Sequence, residues 1–286
     1  MRGALAFLLV VLAANAGVSM SEQKPEGGVI PTATQWTLDA AGPTQRTAIR
    51  SVFLLYCPNT KMKGTGFLLK DGLVVTNAHV VTGCTPEQMI GMSSTGSQLR
   101  FKKMAKDEAA DLALLRPSTA LSGGLELGSD QDPAVGTAVS TWGFPLSYNG
   151  PPPLLSVGYV AGYSQEQVGS RTVKHVVVNG AFNPGNSGGP LFRSNDDKVI
   201  GVVVAKFHLY PPYVEQAITT LANTKSGLVY TGTDEHGNRV ERSEAQVLAM
   251  ILEQFYRTTQ VMIGQAISVS ELKAFIASKQ RELQQD

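Results

Sequence analysis

The chain has 286 residues, enough for one or two domains and a sizeable core. Its 24 Lys+Arg nearly cancel 23 Asp+Glu, so no basic patch argues for nucleic acid as a partner. Only 16% of residues are charged and 43% are hydrophobic, with 29 Gly, which argues against whole-chain disorder, coiled coil and collagen.

Arg2 precedes an apolar run from Ala4 to Ala14, and Ala14-Asn15-Ala16 offers a small-residue cleavage site. The pattern predicts a secretory signal peptide over 1–16, too short for a bilayer that takes about 20 residues. An uncut N-terminal anchor is the competing reading. No other run of 18 apolar residues occurs, so the mature chain is expected to lack an integral membrane segment and to be periplasmic or secreted.

Cys57 and Cys84 are the only two cysteines. In an exported chain they have one way to pair, closing a loop of about 28 residues, worth about 3–4 kcal/mol on a chain-entropy view. Two unpaired buried thiols are the alternative. Two cysteines are too few for a cysteine-rich zinc site, and His175, His208 and His236 lack cluster spacing, so no metal is expected.

Residues 17–45, with Lys24-Pro25-Glu26-Gly27-Gly28 and Pro31, predict a leader with little structure, tacked down by Trp36 and Leu38. From Ile49 onward, short β-rich runs alternate with Gly, Asn, Asp and Pro. Strands are expected at Ser51–Tyr56, Gly66–Leu69, Leu73–Thr76, Leu112–Leu115 and Ala138–Trp142, and again at Leu155–Val160, Val173–Val178 and Val199–Val204. Lys70-Asp71-Gly72 is a hairpin turn signal. Strands at this spacing without long helices predict an all-β barrel or sandwich.

After Phe207 the texture changes. Val214–Thr224 and Glu244–Thr258 have helical periodicity, the second with an apolar stripe of Val247, Leu248, Ile251, Leu252, Phe255 and Tyr256. Between them a hairpin is expected around Asp234-Glu235-His236-Gly237. Val261–Val269 reads as one more strand, and Ser270 opens a C-terminal helix over 270–283.

Three segments carry chemistry. His79 follows the strand in Val74-Val75-Thr76-Asn77-Ala78-His79. Asp111 stands immediately before the apolar run Leu112-Ala113-Leu114-Leu115. Ser187 sits in Asn183-Pro184-Gly185-Asn186-Ser187-Gly188-Gly189. A serine hydroxyl needs a base to take its proton, and an imidazole titrates near neutrality. A buried carboxylate fixes the imidazole's tautomer, and glycines let backbone N–H groups converge on a developing oxyanion. Gly185-x-Ser187-x-Gly189 also fits the nucleophile elbow of an α/β-hydrolase esterase, but that fold needs a helix after the serine, and Pro190 interrupts it.

Together the segments resemble the trypsin-like, chymotrypsin-fold serine peptidases, and most closely the bacterial HtrA-like branch. The resemblance covers roughly 46–207 and 259–285. It implies a mainly β peptidase domain over 46–286 with two six-stranded antiparallel β-barrels, an inserted helix-hairpin-helix subdomain at 208–258 and a C-terminal helix. By position, Ser187 would be the nucleophile, His79 the general base and Asp111 the orienting carboxylate. The N–H groups of Gly185 and Ser187 would form the oxyanion hole. Val204, Ala205 and Lys206 would lie on the peptide-binding edge, with Ala181 as pocket floor, implying a small or apolar residue before the cleaved bond and a polypeptide substrate. No cofactor is implied.

There are departures from the family pattern. Asn186 stands where digestive members carry Asp, so activation by a freshly cut N-terminus is not expected. Cys84 follows His79 by five residues rather than one, so a Cys57–Cys84 bridge would only be analogous to the family's. No room is expected for a C-terminal PDZ domain. The insertion is a candidate lid, specificity wall, or docking site for a partner or a second copy. A peptidase fold with an occluded site, acting as a binding or scaffold protein, is the alternative function.

Overall fold

The structure is a computed structural model that describes residues 32–284 apart from 147, 195–196, 205–211, 235–236 and 259–262. The expected signal peptide at 1–16 lies outside the described residues. Helix α1 (Ala33–Ala40) starts where the Thr32 side chain accepts the N–H of Gln35 at 3.2 Å. Helix α2 (Pro43–Ser51) opens with a proline, which needs no N–H there. The expectation of little structure in 17–45 therefore fails from Thr32 onward. The compact unit begins at Thr32, and the expected boundary at 45/46 falls inside α2. Leu38 is buried but Trp36 is exposed, so only the first anchors the segment, helped by Thr34 Oγ1 donating to Ser94 O at 2.6 Å.

The first sheet contains β1 (Val52–Cys57), β2 (Met62–Leu68) and β3 (Val74–Thr76), then the short helix α3 (Ala78–Val81). It continues with β4 (Ile90–Ser93), β5 (Gln98–Leu99), β6 (Phe101–Asp107) and β7 (Leu112–Pro117). The expected six-stranded barrel is instead a seven-stranded open sheet in the order β5-β4-β1-β2-β3-β7-β6. The two edge strands are separated in sequence by Arg100 alone, so the sheet must roll until its edges meet, but β5 is too short to pair across the seam. The expected β2–β3 turn forms, with Gly72 at φ +86 and Leu69 N–H donating to Leu73 O at 2.8 Å.

The second sheet contains β8 (Ala138–Gly143), β9 (Leu154–Val168), β10 (Arg171–Gly180), β11 (Pro190–Arg193) and β12 (Val199–Val204). The insertion follows as α4 (Pro212–Asn223), the hairpin β13 (Val229–Thr233) and β14 (Arg239–Ser243), and α5 (Glu244–Thr258). Strand β15 (Gly264–Ser268) then closes a six-stranded barrel ordered β10-β15-β12-β11-β8-β9. Helix α6 (Val269–Gln284) starts one residue before the expected Ser270, whose hydroxyl meets that of Ser268 at 2.8 Å.

Strand alternation builds two kinds of core. On β7, Ala113 and Leu115 face the interior of the first sheet with Phe53, Leu55 and Phe101. Leu112 and Leu114 face a core shared with Val202 and Ile267 of the second barrel and Leu272 and Phe275 of α6. Val176, Val178, Leu191 and Val203 fill the second barrel. The halves are also linked by Arg171 on β10, which donates to Asp107 on β6 and to Glu271 on α6, the latter at 2.7 Å.

The insertion packs on itself. Ser243 and Gln246 exchange side-chain and backbone hydrogen bonds as a capping box at the start of α5. Ser243 Oγ also donates to Thr224 O just past α4 at 2.8 Å. Ala245 and Ala249 are buried, whereas Leu248, Ile251 and Phe255 of the expected stripe are exposed.

Candidate active site

Asp111 occupies the left-handed region at φ +50, which Asp tolerates better than most residues. From there it holds the segment after β3 at four points. Its carbonyl accepts from Asn77 Nδ2 at 2.9 Å and from the N–H of Ala78 at 3.2 Å. Its carboxylate accepts the N–H of His79 at 2.9 Å and meets His79 Nδ1 at 2.7 Å. A carboxylate only accepts, so Nδ1 is the donor, and it is the Nε2 side of the ring that is left for a proton to be taken or given. The imidazole is 12% exposed and the carboxylate 29%, which leaves the pair partly screened from water.

Ser187 sits in a turn fixed by Asn186 N–H to Asn183 O and Gly189 N–H to Asn186 O, both 2.9 Å. Reciprocal bonds between Gly188–Gly189 and Val203 tie this turn to β12, at 2.9 and 2.8 Å. Two positive-φ glycines are required here. A Cβ on Gly185 (φ +99) would stand 2.3 Å from Phe144 O. One on Gly188 (φ +85) would stand 2.1 Å from Thr65 O and 3.1 Å from Asn77 N. That close approach sets the Ser187 turn against the segment that leads into His79.

Thr65 on β2 joins the two halves. Its N–H donates to Ser187 O at 2.8 Å, and its hydroxyl donates to Gly185 O at 2.6 Å while accepting the N–H of Phe144 at 3.1 Å. Pro184 O accepts from Leu146 N–H at 2.8 Å. In a planar trans amide the N–H of Gly185 must then point the opposite way. Asn186 is buried beside Gly143, and its Oδ1 has no hydrogen-bond partner among the described residues.

His79 and Asp111 line a cleft of about 940 Å³ together with His175, Val204, Gln265 and Glu166. Of the expected substrate-binding residues, Val204 lines this cleft. Ala181 follows β10, is half-buried, and does not line it. Ala205 and Lys206 lie outside the described residues. Cys57 and Cys84 form a disulfide with Cα atoms 5.8 Å apart, tying the end of β1 to the segment after α3. No group of three or more metal-ligating side chains occurs among the described residues. Thr65, Asn77 and His175 also join the site, although no motif in the sequence marks them for it. Thr65 had one usable signal, a hydroxyl flanked by Gly64 and Gly66, where close backbone approach was to be expected.

The fold and site define a chymotrypsin-like double-sheet protein, and residues 64–202 match the trypsin-like peptidase domain. The sequence is 32% identical over 140 residues to a probable periplasmic serine endoprotease, DegP-like, from Halomonas elongata, covering 49% of this chain and 28% of that one. It is 33% identical over 153 residues to the putative serine protease HhoB of Synechocystis sp., covering 52% and 35%. The matched segment is thus about half of this chain and about a third of those relatives. Among solved structures, the active form of the Rv3671c protease from M. tuberculosis superposes with TM-score 0.55 at 18% identity, over 91% of this chain and 93% of that one. The HtrA-type protease AlgWS227A with tripeptide gives 0.54 at 19%, over 82% and 62%. Residues 64–202 are a trypsin-like peptidase domain, similar to that of DegP/HtrA-like serine proteases. No described helix is long and apolar enough to cross a membrane.

Proposed function

We propose that the protein is an exported serine endopeptidase in which Ser187, His79 and Asp111 act as nucleophile, base and orienting carboxylate. The observation that carries this reading is the double hold of Asp111 on His79, through ring and backbone, beside the Ser187 turn. His79 Nε2 takes the Ser187 hydroxyl proton as Oγ attacks the peptide carbonyl carbon. The carbonyl oxygen becomes an oxyanion received by the N–H groups of Gly185 and Ser187, each such donor worth about 3–4 kcal/mol. Collapse breaks the C–N bond, and His79 returns its proton to the leaving amine. Water, deprotonated by the same imidazole, then hydrolyses the acyl-enzyme.

A small or apolar residue before the cleaved bond is favoured by the short side chain of Ala181. The 1–16 pattern and the disulfide support export, and DegP-like relatives are named as periplasmic. The test is fluorophosphonate labelling followed by intact mass on wild type, Ser187→Ala and His79→Ala. Labelling of wild type alone is expected. Labelling that survives Ser187→Ala, or is unaffected by His79→Ala, refutes the assignment.

A further inference from the structure

Strand β10 alternates between two faces. Val176 and Val178 point into the second barrel, so His175 points out of it and into the cleft that holds His79 and Asp111. His175 is 6% exposed, yet among the described residues no side-chain hydrogen bond or ion pair engages its ring. Its ring nitrogens face the open cleft rather than sealed protein, so a bound group can reach them.

The charges around it point to the kind of group. The described lining carries Asp111, Glu108 and Glu166 but no Lys or Arg. Asp111 is committed to His79, and Glu108 is paired with Lys106 at 2.8 Å. The Glu166 carboxylate, projecting from β9 opposite Val173 of β10, has no ion-pair partner among the described residues. The nearby acids Asp107 and Glu271 share one guanidinium, that of Arg171, and so keep a net negative charge between them. What remains is an apolar wall of Val168 and Val204, a free carboxylate and an unoccupied imidazole, which in its neutral form offers an acceptor nitrogen.

We infer that this end of the cleft is a subsite for a cationic side chain, Lys or Arg, of a bound polypeptide, with Glu166 and His175 as its receiving groups. The inference rests on the peptidase reading for the identity of the ligand. Val204 ends β12 and lines the cleft beside His79 and Asp111, so on the peptidase reading a bound polypeptide runs through this space. The Lys or Arg stem lies on the valines while its head reaches the carboxylate.

Binding to the Ser187→Ala full-length protein tests the subsite without requiring turnover. Fluorescent peptides with an alanine at the site of cleavage and Lys, Gln or Glu two to four residues upstream are titrated by anisotropy. Lys peptides are expected to bind about 5–10-fold more tightly than Glu peptides at low salt, as for partly exposed pairs, with the gap narrowing at high salt. Glu166→Gln is expected to collapse the preference and Glu166→Lys to invert it, which a misfolded protein would not do. Equal affinities for Lys and Glu peptides, or a preference indifferent to both substitutions, overturns the subsite. Because turnover is not involved, that result leaves the labelling assay free to judge the peptidase reading separately.

Discussion

Thr65→Val removes one hydroxyl and keeps nearly the same shape at a fully buried position. That hydroxyl serves two backbone groups, the carbonyl of Gly185 at 2.6 Å and the N–H of Phe144 at 3.1 Å. Both would be left buried without a partner, each costing about 1–3 kcal/mol, so the expected loss is about 2–6 kcal/mol. That is a large share of a typical stability of about 5–15 kcal/mol. Trp142, one residue after the buried Thr141 and close to Phe144, is itself buried and provides the fluorescence signal for a urea titration. Thr65→Ser keeps the hydroxyl and loses only a methyl, so it should recover most of the loss. Because Gly185 is held by the same hydroxyl, fluorophosphonate labelling of Thr65→Val should also slow, even where the protein is folded. A Thr65→Val midpoint within about 0.5 kcal/mol of wild type, or Thr65→Ser falling as far as Thr65→Val, would refute the two-ended role.

Two further outcomes follow from the same geometry. Reduction of the Cys57–Cys84 bridge should cost about 3–4 kcal/mol, seen as a lower urea midpoint with dithiothreitol, and the double Ser variant should match the reduced wild type; an unchanged midpoint would show that no bond constrains the chain. Burial lowers the Lys63 ammonium below its ordinary value near 10.5, so between the two values the unfolded chain holds a proton that the folded chain has lost, and stability rises with pH. Lys63→Met removes that slope, so its stability advantage over wild type should shrink from pH 8 to pH 10.5; a constant difference contradicts the burial argument.

The strands found from sequence are those that alternate or run apolar between turn residues, such as β3, β7 and β12. Those that escaped it are marked differently. β6 reads Phe-Lys-Lys-Met-Ala-Lys-Asp, and its lysines face outward from a sheet edge, leaving only Phe101 and Ala105 fully buried. β5 is two residues long, and β11 begins with a proline. The helices of the leader had local signals, Thr32 as cap and Pro43 at a first turn, outweighed by the Gly and Pro just upstream. At the site, His79, Asp111 and Ser187 could be named because each sits in a distinctive local string. The bond from Thr65 to Gly185 spans 120 residues, and the outward turn of His175 depends on barrel register, so neither has a local signature.

The second barrel has a temporal consequence. β10 and β12 are not neighbours; β15 lies between them and pairs with both. A ribosome that has delivered everything through the insertion has still not supplied the stave that holds together the wall behind Ser187. Until about residue 268 emerges, β10 and β12 each present a bare edge, and the β12 strand that holds the serine turn is itself unpaired on one side. A fragment ending in the insertion therefore cannot close the second barrel.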